Sequence, residues 1–255
     1  MNKYENKYKD LLKDILNNNI ERADRTNVGC YSGFSKSLKW NLKDGFPILT
    51  GKAMYPKIFN TEFKWFINGE TNIKRFKDSN IKIWDEWANS DGDLGPVYGH
   101  QMLSFNSLYI NQLESVLESI KTNPDSRRHI ITLWNPIQLD KMALPPCYLY
   151  FQFFVDNNKL NMFVLQRSAD LFLGLPYDVA LYSMFLLYVS DKTNYKANEI
   201  SISIVDAHIY KNHIKQVEDY LTQPIYNLPK YTFKDDEVYL SNYKKGKKIK
   251  ANVAV

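Results

Sequence analysis

The residues of this 255-residue chain best suited to chemistry are a cysteine, four arginines and a carboxylate set among aromatics. Cys147 follows Pro145-Pro146 and opens the run Tyr148-Leu149-Tyr150-Phe151, which places a thiol where a loop enters the edge of a sheet. A cysteine so placed is either a packing residue or a nucleophile, and a nucleophile needs positive charge nearby to hold its thiolate. Arg25, Arg127, Arg128 and Arg167 are candidates for that charge. The same arginines, with the hydroxyl of Ser168 in Gln166-Arg167-Ser168, suit a tetrahedral oxyanion such as a phosphate, because forked donors match its geometry. Surface ion pairing is the plainer use of an arginine pair. Glu62 lies within Phe59-Asn60-Thr61-Glu62-Phe63-Lys64-Trp65-Phe66, where a carboxyl is either an acid/base group with a raised pKa or the outer face of a helix. No metal is expected. His208 and His213 are five residues apart, one too many for a shared helical face, and neither cysteine sits in a C-x-x-C pair. The chain has no P-loop and no G-x-G-x-x-G, which argues against a nucleoside triphosphate or a dinucleotide.

These side chains need elements to carry them. Tyr4 to Ile20 spaces its apolar residues by threes and fours, as an amphipathic helix does, and the run Asn17-Asn18-Asn19 marks its end. Asn27 to Asn41 reads as extended, and Ile58 to Ile67, Ile81 to Trp87 and Tyr109 to Ile120 read as helices. Between them, the Gly- and Asp-rich stretch Ser90 to Pro96 is a loop and a candidate ligand surface. The second half is richer in strands: His129 to Trp134, then a hairpin of Tyr148 to Val155 and Lys159 to Gln166 around Asp156-Asn157-Asn158. Pro176 to Val189 is a buried helix with proline in its first turn. Ile200 to Ile209 alternates as a strand, Asn212 to Leu221 is helical, and two short strands flank Asp235-Asp236. Helices and strands without a βαβ period imply a single α+β domain over residues 1–255.

Composition limits the setting. Hydrophobic residues make up 44% of the chain and aromatics 15%, enough for a large core and too much for general disorder. No apolar run reaches membrane-spanning length and the first residues lack a signal peptide, so a cytoplasmic protein with no membrane partner is expected. The two cysteines, Cys30 and Cys147, then argue against a disulfide framework. The net charge of +5 owes much to the tail segment Lys244 to Lys250, which reads as a solvated face and not a nucleic-acid groove.

In combination, five motifs carry a resemblance that no one of them carries alone. Trp84-Asp85-Glu86-Trp87, Gly92-Asp93-Leu94-Gly95-Pro96-Val97-Tyr98-Gly99, Asp125-Ser126-Arg127-Arg128, Pro146-Cys147 and Gln166 through Pro176 follow one another as in the thymidylate synthase family, and the likeness runs from Asp24-Arg25-Thr26 to Val255. The resemblance implies an α+β fold with a large twisted mixed sheet flanked by helices, packed back to back with its twin in a homodimer. It implies transfer of one carbon from 5,10-methylenetetrahydrofolate to C5 of a pyrimidine deoxynucleoside monophosphate, with Cys147 attacking C6 of the base. Arg25, Arg167 and Ser168 would hold the 5′-phosphate, with Arg127 and Arg128 supplied by the other subunit. Gln166 is carried over as a substrate contact, and His208 and Tyr210 as contacts to the sugar 3′-hydroxyl. Glu62 is carried over as the proton relay, and Tyr98, Tyr148 and Asp178 join the catalytic group. Asp170 would meet the pterin, and Trp84, Trp87, Leu173, Gly174 and Tyr177 would form the folate wall. Lys52 matches a basic residue of the folate-tail region, where Ala53 replaces an expected arginine. Val255 matches a tail that closes over the ligands.

Two departures bear on the substrate. Family members acting on deoxyuridylate carry asparagine where this chain has Asp178 and histidine where it has Tyr148. An asparagine amide matches uracil N3–H and O4, whereas cytosine reverses that pattern and is met by a protonated carboxyl, or by a carboxylate if N3 takes the proton. Asp178 therefore resembles the aspartate of deoxycytidylate hydroxymethylases of the phage type, which would work in a host cytoplasm. The expected product is 5-hydroxymethyl-deoxycytidylate, formed when water adds after carbon transfer. Methylation of the same base, thymidylate formation from deoxyuridylate, and an idle RNA-binding relative are the alternatives.

Overall fold

The computed structural model describes residues 2–18 and 20–254. Its organising element is the hairpin of β4 (Tyr148–Asp156) and β5 (Lys159–Asp170), joined through Asn157 and Asn158, both at positive φ as a tight two-residue turn requires. The buried row of β5 runs Leu160, Met162, Val164 and then Gln166, a polar side chain with no exposure. α6 (Gly174–Thr193) follows, apolar on all sides and buried on all sides from Val179 to Leu187, with Pro176 in its first turn. It crosses back over the sheet so that β6 (Lys196–Tyr210) can run parallel to β5, the connection parallel strands demand.

β2 (Cys30–Asn41) pairs antiparallel with β6, and β1 (Ile20–Arg22) with β2. β3 (Ile130–Thr132) closes the far edge on β4. The six strands lie in the order β1-β2-β6-β5-β4-β3, a mixed sheet, and the fold is α+β as the sequence implies. On one face sit α1 (Lys3–Asn17), α2 (Pro56–Ile67) and α6, with buried Tyr8, Phe59, Phe63 and Phe185. The other face leaves Phe154, Phe163 and Val205 exposed. α1 is tied down by Glu5, whose buried carboxylate accepts from the amides of Thr50 and Gly51 and from the Tyr220 hydroxyl, each at 2.8 Å. α7 (Ile214–Thr222) and the small hairpin of β7 (Lys230–Lys234) and β8 (Glu237–Ser241) complete the chain.

Three expectations change. Ile81 to Trp87 is a series of turns, and the short helix α3 (Lys74–Asp78) precedes it. A seven-residue stretch offers little return on helix nucleation, and Trp84 and Trp87 are held by ring contacts instead. The helix expected from Tyr109 starts later, as α5 (Gln112–Thr122), where the Asn111 side chain caps Glu114 N at 3.0 Å; Tyr109 itself has φ 57° and is 89% exposed. Ile20 opens β1 and does not end α1, and the five-residue α4 (Gly99–Leu103) was not foreseen.

Candidate active site

Cys147 stands at the mouth of β4, and Arg167 on β5 fixes its loop. The Arg167 side chain donates through Nε to the Pro146 carbonyl and through Nη2 to that of Pro145, both at 2.8 Å, while its backbone N–H donates to the Cys147 carbonyl at 2.8 Å. A diproline offers carbonyls and no N–H, so an arginine fork is the natural partner. The same guanidinium lies 5.8 Å from the Trp134 ring, a contact the sequence did not signal. Burial pushes the thiol pKa up; Arg167 opposes this most, Asp178 adds to it, and Tyr98 and Arg25 lower it. Cys147 as a residue is partly exposed and forms no disulfide.

Two desolvated carboxyls lie near one another and near the thiol. Glu62 on α2 is pushed up to about 8, by burial first and then by the charge of Asp178, against a hydrogen bond from Trp84 Nε1 at 3.2 Å. Asp178 on α6 is pushed up to about 7, by burial first, against a bond from Gln166 Nε2 at 2.8 Å, with Asp170 raising it further. Two coupled carboxyls in a desolvated cleft do not both ionise near neutral pH, so the site holds at least one proton ready to donate.

Tyr98 connects thiol and wall. It sits at φ 34°, a strained conformation for a non-glycine residue, and its hydroxyl accepts from Cys147 N at 3.2 Å. Its ring lies 4.6 Å from that of Tyr148 and 5.7 Å from that of Trp84, which in turn meets Trp87 at 5.7 Å. Tyr148 is buried and also contacts Phe66, Phe151 and Tyr182, so this departure from the family pattern fills the cleft wall with ring. Trp84, Trp87, Leu173, Gly174 and Tyr177 are all partly exposed.

Ser168 and Arg167 project near the end of β5, and Ser168 stands in register with Asp206 of β6. His208, two residues on, directs Nδ1 at Asp206 Oδ1 at 3.4 Å and meets the Tyr210 ring at 5.0 Å. Arg25 is exposed yet close enough to act on the thiol. Arg127 and Arg128 are not brought to this group. They lie exposed before β3, at the opposite end of β4 from Cys147, where the His129 carbonyl accepts from Phe153 N at 2.9 Å.

Asp170 is half-buried and held ionised, its pKa lowered despite the cost of burial by His213 and by the Phe172 amide; it caps Phe172 N at 2.9 Å and Leu173 N at 3.2 Å. His213, set aside in the sequence because its spacing suits no metal, bonds the Asn252 carbonyl through Nε2 at 2.7 Å and faces Asp170 through Nδ1 at 3.8 Å. It joins the tail to the loop after β5. Lys52 is buried and donates to the Phe172 carbonyl at 2.5 Å, with its pKa lowered to about 8 by burial. Val255 lies outside the described residues. Among the described residues no group of three or more His, Cys, Asp or Glu could hold a metal ion, and no helix is long and apolar enough to cross a membrane.

The arrangement can attack an electrophilic carbon with a thiol, hold an anion beside it, and donate or accept a proton at two carboxyls next to a flat apolar wall. A family model described as thymidylate synthase matches residues 6–255 of the chain.

Proposed function

The chain belongs to the thymidylate synthase family, whose members transfer one carbon from methylenetetrahydrofolate to C5 of a pyrimidine nucleotide, and we propose that this member acts on deoxycytidylate and releases 5-hydroxymethyl-deoxycytidylate. The observation that carries the reading is Asp178: a carboxyl whose pKa burial lifts to about 7, bonded to Gln166 and lying near the Cys147 thiol. A neutral acid donates through O–H and accepts through C=O, which is the complement of cytosine N3 and its 4-amino group. A site of this kind discriminates strongly, because the wrong base leaves buried polar groups unpaired.

Cys147 adds to C6 of the base, and Arg167 stabilises the thiolate while presenting the 5′-phosphate side of the site with Arg25 and Ser168. Tyr98 fixes the cysteine backbone through its hydroxyl. His208 and Tyr210 face the sugar. Glu62, protonated up to about pH 8, holds the proton that the base and the incoming water exchange. Methylenetetrahydrofolate supplies the carbon at the oxidation level of formaldehyde, and the half-buried rings of Trp84, Trp87 and Tyr177 with Leu173, Gly174 and the Asp170 carboxylate fit a flat, hydrogen-bonding pterin. The homodimer is part of this proposal. The exposed Phe154, Phe163 and Val205 support a partner on the outer face of the sheet, with Arg127 and Arg128 at its margin free to reach the partner's phosphate.

A second reading, methylation of the same base, is favoured by Trp84 seated on Glu62, since an indole there keeps water from the carboxyl. Incubation with methylenetetrahydrofolate and either deoxycytidylate or deoxyuridylate, with the product weighed by mass spectrometry, separates the readings. Hydroxymethyl-deoxycytidylate is expected. Methyl-deoxycytidylate selects the second reading, and thymidylate formed faster than any cytosine product overturns both.

A further inference from the structure

Asp178 and Tyr182 are one turn apart on α6 and so share a face, and Gln166, fully buried on β5, lies between them. Tyr182 Oη donates to Gln166 Oε1 at 3.2 Å, and Gln166 Nε2 donates to Asp178 Oδ2 at 2.8 Å. The direction of this chain has a cause. Burial pushes the Tyr182 phenol well above its usual pKa, so it keeps its proton and presents an O–H to the amide oxygen. In the reversed chain the phenol proton loses Gln166 as its acceptor. The amide nitrogen therefore faces Asp178, and Oδ2 is committed as an acceptor. The carbonyl oxygen of a carboxylic acid accepts better than its hydroxyl oxygen, so the proton of the neutral acid belongs on Oδ1.

We infer that Tyr182, acting through Gln166, is a positioning residue that fixes which oxygen of Asp178 carries the proton and thereby sets the choice between cytosine and uracil. The inference rests on the deoxycytidylate reading. Cytosine then receives Oδ1–H at N3 and gives its 4-amino proton to the second lone pair of Oδ2. Uracil needs the opposite, a donor at Oδ2 for O4 and an acceptor at Oδ1 for N3–H, and the Gln166 N–H already pointing at Oδ2 works against it. Discrimination is thereby set in part by a hydroxyl that touches neither base.

The test compares full-length wild type with Tyr182→Phe, measuring kcat and KM for deoxycytidylate and for deoxyuridylate over a range of pH. The expected result is a fall of about tenfold in the ratio of the two kcat/KM values, the scale of one lost buried hydrogen bond. The loss is carried mainly by KM for deoxycytidylate. The pH limb belonging to Asp178 moves to higher pH, because the Gln166 bond that lowers its pKa is released. A merely structural hydroxyl would slow both bases alike and leave that limb in place. Gln166→Met removes both bonds at similar volume and gives the same readout if Tyr182→Phe does not fold. A wild-type preference for deoxycytidylate that either folded variant keeps within about twofold, with an unmoved limb, overturns the inference alone. A wild-type preference for deoxyuridylate overturns the inference together with the reading beneath it.

Discussion

The β5–α6 unit and the turn-rich stretch 79–110 both deliver side chains to Cys147, and they do so by opposite means. In the first, Gln166 is the next step in an alternating buried row, and Asp178 and Tyr182 are one helical turn apart, so regular backbone geometry alone aims them. In the second, Tyr98 is held at φ 34° by a buried amide network: Gln101 Nε2 donates to the Pro96 carbonyl and to Gln138 Oε1, each at 2.7 Å, and Gln101 Oε1 accepts from Asn135 at 3.0 Å. Gly95 completes this support, because at φ 75° a Cβ would stand 2.0 Å from the Lys141 carbonyl oxygen. A residue in so unfavourable a conformation costs about 1–3 kcal/mol, and a satisfied polar network is what can hold it there. Periodicity thus positions Gln166, Asp178 and Tyr182, whereas strain and amides position Tyr98, which bonds the backbone of Cys147.

The sharpest way to break this comparison is to remove what the two regions share. Cys147→Ala should lower kcat by at least about 10³-fold in a steady-state assay while nucleotide binding, followed by calorimetry, survives; substantial residual turnover would place the chemistry elsewhere. On the periodic side, Asp178→Asn should reverse the base preference by roughly 10³-fold or more in the ratio of kcat/KM values. The pH dependence sharpens this. Asp178 is neutral below about 7, so wild-type use of deoxycytidylate should fall as pH rises through that value, and Asp178→Asn should lack that limb. Stability follows the same group: the unfolded chain releases this proton near pH 4 and the folded chain holds it to about 7, so stability drops as pH rises between them. Asp178→Asn should remove part of that drop and, at pH 8, melt about 2–4 °C above wild type.

On the side built from turns, Gln101→Ala should cost about 1–3 kcal/mol in denaturant unfolding, by removing one bond each from the buried amides of Asn135 and Gln138 and the donor to the Pro96 carbonyl, and should slow turnover through Tyr98 with no change in base preference. A shifted preference in that variant would erase the distinction between the regions. The smallest effect belongs to Tyr109→Ser in the same stretch: at 89% exposure, its stability should stay within about 0.5 kcal/mol of wild type.

The same contrast explains what could be read in advance. β2, the β4–β5 hairpin, α6 and β6 follow from spacing in the chain, and Cys147, Arg167 and Glu62 stand out because their neighbours make them chemically odd. The Ile81 to Trp87 stretch has a helical look, yet its path is decided by Trp65 and Tyr98, partners that no local pattern contains. The positive φ of Tyr98 was equally hidden. His213 was weighed only as a metal ligand; its bond to Asn252 joins positions that sequence spacing does not relate. Tyr182 could have been found, since it lies one helical turn after Asp178, but in a run as apolar as Val179 to Val189 a tyrosine reads as packing until its acceptor is seen.

The pairing of the strands also dictates an order of assembly. β2 bonds to β6 from Cys30 opposite Tyr210 to Asn41 opposite Glu199, so an early strand of the sheet waits for one of the last to be synthesised. The parallel pair β5–β6 can close only after α6 has been laid across it. A nascent chain that ends before β6 therefore holds a finished hairpin and a β2 paired only with the three residues of β1, and the central contacts of the sheet close over long loops, as in slow-folding topologies. The thiol loop is anchored on β5, but His208 of β6 comes opposite Asp170 only in that final closure, so the proposed site and the sheet are completed in the same event.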